Sequence, residues 1–257
     1  MSGDRRSGPG TGRARRRAHP IAAQVRAEVR LTLSQGENLL VTVGIPVLLL
    51  VAFDLLDVLP TGSRRPVQFL VPSVLALALM STGLVSLAIA TGFERTYGVL
   101  KRLAATPLGR RGLLGAKIAS VVTVEVVQVA VLAAVGVALG WHPTSGLAAS
   151  IGACALATVA FGALGLLLAG TLPGEVVLGV ANLLWLVLLL GGGILFPLTR
   201  LPPSLATVAR ALPTAALASA LHGALETGRG VPTEAWAVLG GWALAASLAA
   251  VRLFRWE

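Results

Sequence analysis

Six stretches of this chain run for the length of a membrane crossing with almost no charged residue in them, and that pattern constrains the fold more than any motif does. They cover residues 39–59, 67–93, 113–139, 147–172, 176–196 and 235–251. A helix that crosses a bilayer needs about 20 mainly apolar residues, with a range of about 17–25. Longer runs are accommodated by tilting. Only 12% of the 257 residues are charged and 55% are hydrophobic. A soluble domain runs near 25% charged, so this chain lacks the polar groups to cover its surface in water. The expectation is an all-α integral membrane protein with six transmembrane helices, and the apolar runs leave no room for a soluble domain.

A net charge of +10 invites a nucleic-acid reading, but that function needs basic residues clustered on one water-exposed face. Here the excess sits in the first thirty residues and in one loop, both flanking apolar runs, which argues against nucleic acid and for segments beside a membrane. Six crossings put both termini on one side. With that side cytoplasmic, Lys and Arg number eight before Leu39, six in 94–117 and two after Val251, leaving five of the 21 outside. The bias places both termini in the cytoplasm. Arginine outweighs lysine, and Ala, Gly, Val and Leu dominate, as in a GC-rich bacterial genome; the expected location is a bacterial inner (plasma) membrane.

Residues 1–19 combine Gly, Pro, Ser and six arginines with almost nothing apolar, so this basic cytoplasmic tail is expected to be disordered. The remainder, 20–257, reads as one transmembrane domain. Pro20 can open a helix, and Ile21, Val25, Val29 and Leu33 then recur every four residues, as in an amphipathic helix lying at the interface. No short apolar segment with a small-residue cleavage site follows the arginines, so no cleaved signal is expected. Between the fifth and sixth spans, 197–232 is semi-apolar and follows Gly191-Gly192-Gly193. Irregular backbone at membrane depth persists only when shielded, so short outer re-entrant helices packed on the bundle are expected there, over 205–212 and 214–225.

Common catalytic signatures are missing. The sequence holds no Gly-x-x-x-x-Gly-Lys-Ser/Thr phosphate loop, no His-Glu-x-x-His and no Gly-x-Ser-x-Gly. Its three histidines are scattered and Cys154 is its one cysteine, so neither a metal site nor a disulfide is expected. No catalytic residue is assigned.

What remains is FERTYGVLKRLAATPLGRRGLLGAK, from Phe93 to Lys117. Its Glu94, Arg95, Gly98, Leu100, Leu103, Thr106, Pro107, Leu108 and Lys117 stand in the order of a segment typical of ABC-2 type transporter permeases, and the chain resembles that family. Thr96 replaces the second acidic residue of the family pattern. Gly191–Pro202 is similar to the family's Gly-x-x-Phe-Pro segment, and Leu212-Pro213-Thr214 resembles the motif that follows it. Together with the spans and the amphipathic helix, the resemblance covers most of 20–256.

It implies the membrane subunit of a drug, antibiotic or polysaccharide exporter, pairing with a second permease, the same or related. Two separate cytoplasmic ATPase subunits would power it, with ATP and Mg2+ held there and no cofactor on this chain. It also implies a cytoplasmic coupling helix between spans 2 and 3, with Glu94, Arg95, Tyr97, Gly98, Leu100, Leu103, Thr106 and Pro107 meeting the ATPase. On a helix begun at Glu94, Tyr97, Leu100, Leu103 and Ala104 share an apolar face, Arg95 and Arg102 lie off it, and Pro107 ends it. On generic grounds an interfacial helix touching only lipid headgroups is the alternative.

Glu125, with Gln128 three residues on, lies mid-span in the third crossing. An intramembrane carboxylate faces the bundle or a cavity and is a candidate functional site, either meeting a cationic substrate or staying protonated and hydrogen-bonded to another helix. Glu125, Gln128, Asn182 of the fifth span and Phe196 form the candidate substrate pathway, although Asn182 also suits a hydrogen bond across helices. Gly162, Gly165, Ala169 and Gly179 are read as close-packing positions. From other classes, a stand-alone ion-coupled carrier or a membrane assembly factor remains the alternative.

Overall fold

The computed structural model describes residues 36–56, 66–104, 109–144, 146–194 and 202–255, with side chains throughout these except at 36–39, 56, 103, 104 and 109–111. The expected tail, the amphipathic helix after Pro20, Thr106, Pro107 and Phe196 lie outside the described residues.

Every regular element among the described residues is helical. Helix α1 is Gly36–Leu56, with Pro46 inside it. Helix α2, Pro66–Thr96, is one long span that passes through a π turn at Ser81–Ser86. A short α3, Val99–Ala104, follows, then α4, Gly109–Ala138, α5, Leu147–Thr171, and α6, Gly174–Gly191. Helix α7 is Pro203–Arg210, and α8, Pro213–Glu226, bends away from it by 87°. Helix α9 is Thr233–Leu253.

Local chemistry sets these boundaries. Helices α7 and α8 each open on a proline in the first turn, where its missing N–H costs nothing. Helix α4 is stopped after Ala138 by a turn at Gly140, whose φ of +90° suits glycine. There Trp141 N–H reaches Gly136 O at 2.8 Å and Gly140 N–H reaches Val137 O at 3.0 Å, closing the paired bonds of a Schellman turn. The triple glycine stops α6 at Gly191, and the Thr214 hydroxyl at the start of α8 donates to Leu188 O at 3.1 Å, covering a carbonyl that α6 leaves open.

Helices α2, α5, α6 and α9 and the 112–138 part of α4 are long and apolar enough to cross a membrane. The apolar part of α1, Leu40–Leu55, is shorter, and the bent α7–α8 pair passes the same test only if counted as one span. The chain is an all-α membrane protein. Helix α2 is the most buried span and packs against α1, α4, α5, α6 and α8. Helix α8 is a half-helix sunk among α2, α5 and α9, with Thr214, Leu217, Ala220 and Leu221 fully covered. Its place in the chain and its packing on the bundle match those expected for the short helices after the fifth span.

Helices α2 and α5 approach closely where side chains vanish. A Cβ on Gly165 would lie 2.8 Å from the carbonyl oxygens of both Gly83 and Leu84 in the π turn. Ala169 is fully buried one turn on. Gly179 differs: nothing lies within 4 Å of its would-be Cβ, so it is not a packing position, contrary to the sequence expectation. Gly165→Ala should therefore destabilise the fold by about 1–3 kcal/mol through overpacking against rigid backbone, whereas Gly179→Ala should be neutral or slightly stabilising. Thermal unfolding of the two purified variants in one detergent checks this; equal melting temperatures would contradict the close crossing.

Candidate functional site

At the end of α2, three consecutive side chains reach three different spans. Glu94 pairs with Lys117 of α4, Oε2 to Nζ 2.5 Å. Lys117 is buried while Glu94 is partly exposed, and Glu94 Oε2 has no partner besides this ammonium. Arg95 donates through Nη1 to Ala169 O at 2.9 Å, on the last turn of α5. The hydroxyl of Thr96 accepts the Gly174 N–H at 3.2 Å and donates to Gly92 O at 3.0 Å. Each bond serves a group that a helix end leaves unpaired: Ala169 O is a late carbonyl of α5, Gly174 N–H the first donor of α6. Position 96, which lacks the acidic residue of the family pattern, thus caps the next span. Arg255 N–H adds a bond to Gly170 O at 2.9 Å, bringing the end of α9 to the same place.

Beyond this knot the chain turns sharply. Gly98 has φ +69° and its N–H returns to Arg95 O at 3.0 Å; a side chain there would be strained. The segment is therefore two helices meeting at an elbow, where the sequence pattern predicts one helix from Glu94. The break redistributes the expected apolar face. Leu100 is 1% exposed and anchors α3 inward, whereas Tyr97 is 68% exposed and stacks its ring beside Phe93. Val99, Lys101 and Arg102 are also exposed. Of Leu103 only the backbone is described.

A second cluster lies mid-membrane. The buried stripe of α4 runs through Lys117, Val121, Val124, Glu125, Gln128 and Leu132, a helical repeat that aims both polar residues inward. The Thr158 hydroxyl of α5 donates to Glu125 Oε2 at 2.5 Å. Thr82, in the π turn of α2, donates to Gln128 Oε1 at 2.9 Å, and Gln128 Nε2 donates to Thr42 O of α1 at 2.9 Å. Gln128 is thereby satisfied and ties three helices. Glu125 is not: Oε1 is buried without a hydrogen-bond partner.

Asn182 does not join this cluster. It sits on the exposed face of α6 and donates to Leu178 O of its own helix at 2.7 Å, not across to a neighbour. One array escaped the sequence reading: His222, in the π turn of α8, lies 3.1 Å from Ser73 Oγ through Nε2 and 2.6 Å from Glu226 Oε2 through Nδ1. It also stacks on Phe69 at 4.6 Å. Ser73 is buried within α2, where neighbouring backbone N–H groups are spent on the helix, so the array tethers α8 to α2 and offers no oxyanion donors.

A family model described as an ABC-2 family transporter protein matches residues 58–252. The chain belongs to that family. Its match covers the described helices from α2 to α9, stopping one residue short of the end of α9, and leaves out α1. No curated protein matches the chain. As an ABC-2 permease it is the membrane component of a transporter and not itself the catalyst, and membership implies ABC ATPases as partners in general terms. In the permease, the family-like residues Glu94 and Arg95, with Thr96 beside them, are the ones that bind three spans together.

The Glu94–Lys117 pair should behave as a unit. Removing one partner from a buried pair costs about 3–5 kcal/mol, less here because Glu94 is partly exposed. Glu94→Gln alone, which leaves the buried Lys117 ammonium without its partner, should lower the unfolding temperature more than Lys117→Met alone, and the double variant should recover part of the loss. A double-mutant cycle by thermal unfolding tests this; simple additivity would show that the pair contributes nothing.

Proposed function

We propose that this permease is the membrane subunit of an ATP-driven exporter and that the elbow at Tyr97-Gly98 is where a separate ATPase pushes. The supporting observation is the triple attachment just behind the elbow. Force applied to exposed Tyr97 and α3 passes through Glu94, Arg95 and Thr96 into α4, α5 and α6 at once, so α2 cannot move alone. In this reading the elbow and both termini are cytoplasmic, in agreement with the bias of Lys and Arg, and the membrane is the bacterial inner membrane. Two permease subunits, identical or related, line the pathway. Two ATPases carry ATP and Mg2+, and this chain holds neither. Glu125 and Gln128 belong to the substrate pathway.

The burial of Leu100 moves the expected contact. The ATPase meets Tyr97, Val99 and Arg102, while Leu100 fixes the helix that presents them. Rings and arginines are the side chains that dominate such interfaces.

Co-purification from native membranes tests this. The tagged wild-type chain should recover a Walker-motif ATPase. A Tyr97→Asp, Arg102→Glu double variant, altered only at exposed positions and so still folded, should recover about tenfold less, a loss of ~1.4 kcal/mol in affinity. If the folded wild type recovers no ATPase, the coupling reading fails and a stand-alone carrier takes its place.

A further inference from the structure

A groove of about 350 Å3 runs between α4, α5 and α9. Leu114, Ile118, Leu166 and Phe254 give it apolar walls, and Thr158 and Gly162 lie along its α5 side. Its size falls at the lower end of the range of about 300–1,000 Å3 for small-molecule sites. The Glu125 carboxyl lies immediately behind Thr158, at 2.5 Å from its hydroxyl. The carboxyl is 5% exposed, and its Oε1 has no partner. That oxygen sits beside the Gly83–Gly162 crossing: a Cβ on Gly83 would lie 3.5 Å from Glu125 Oε1 and 3.4 Å from Gly162 N. From the groove the carboxyl is reached past Thr158, which lines the groove and holds Oε2, while Oε1 faces the α2 crossing.

Thr158 is built to yield. Its hydroxyl also lies 3.0 Å from Cys154 O, and a hydroxyl proton rotates to suit its surroundings. It can turn from Glu125 to Cys154 O without losing a partner, leaving Oε2 to a newcomer. No Lys or Arg among the described residues pairs with Glu125, the nearest such pair being Lys117 with Glu94. A buried acid lacking an internal cation is complementary to a cation brought from outside.

We propose that the groove and Glu125 form one site for a lipophilic amine, its apolar body lying between α4, α5 and α9 and its ammonium group on Glu125. A neutral amine meeting the protonated acid and an ammonium meeting the carboxylate give the same bound ion pair, with no net charge left in the membrane. The inference rests on the transport reading for its meaning, since it names the class of substrate, but binding requires no ATPase.

The test uses the full chain in phosphatidylcholine nanodiscs, with dansylcadaverine as the amine probe and its N-acetyl derivative as the neutral one, read by dansyl fluorescence. The amine should bind at least about tenfold tighter than the acetylated probe. Glu125→Gln should abolish that preference while leaving the acetylated probe unchanged, and Ser247→Phe, which fills the groove from α9, should weaken both. The wild-type comparison stands even if a variant fails to fold. Equal binding of the two probes, binding of neither, or a preference that survives Glu125→Gln overturns the proposal. So does a groove closed by a second copy of the chain, seen as probe exclusion together with loss of the dimer in Ser247→Phe. Probe binding that persists when no ATPase co-purifies would count only against the coupling reading.

Discussion

Every helix leaves its first N–H groups and last carbonyls without partners, and in a bilayer water is not at hand to take them. This fold meets that constraint by having one helix end satisfy another. Arg95 and Arg255 N–H cover the last carbonyls of α5, Thr96 covers the first donor of α6, and Thr214 covers a late carbonyl of α6. The caps are therefore also the joints. Because three of them gather where α2 ends, the spans are joined at one level of the molecule, directly before the elbow. The opposite ends are joined in the same manner: Thr144 Oγ1 donates to Ala224 O at 2.7 Å, and His222 holds Ser73.

Two layers then divide the work. The knot at Glu94–Thr96 fixes the spans to one another, whereas the mid-membrane layer leaves something unfinished. Gln128 has a donor and an acceptor supplied by different helices, a closed arrangement of the kind that specifies packing. Glu125, one turn away, keeps an oxygen unpaired. The π turn at Ser81–Ser86 belongs to the mid-membrane layer and supplies both Thr82 and the Gly83 crossing; such turns inside helices frequently mark functional sites.

Much of this was legible in the sequence, for identifiable reasons. Five of the six expected spans coincide closely with helices of crossing length, because hydrocarbon imposes a long apolar run on anything that crosses it. The bent helix pair after α6 was legible in Gly191–Gly193 and in the semi-apolar run that follows them. Which span lies at the centre was not, since lipid-facing and core-facing positions are equally apolar; the exposed Leu183 of α6 and the buried Leu75 of α2 look alike in the sequence. The order of residues from Glu94 to Pro107 pointed to the elbow, but three- and four-residue spacing assumed an unbroken helix, and Gly98 interrupts it. Asn182 showed the same limit from another side: polarity marked it, yet its own helix satisfies it. The π turns carry no periodic signature, so the partners of Thr82 and His222 emerge only from the packing.

The claim on which the account turns is that the elbow touches an ATPase in the working transporter. Photo-crosslinking from a benzophenone side chain placed at position 97, in intact cells, measures that contact directly. The account predicts a light-dependent adduct between this chain and a Walker-motif ATPase, absent when the benzophenone stands instead at the exposed position 183 of α6. Adducts to lipid alone at position 97, with the protein folded and expressed, would contradict it.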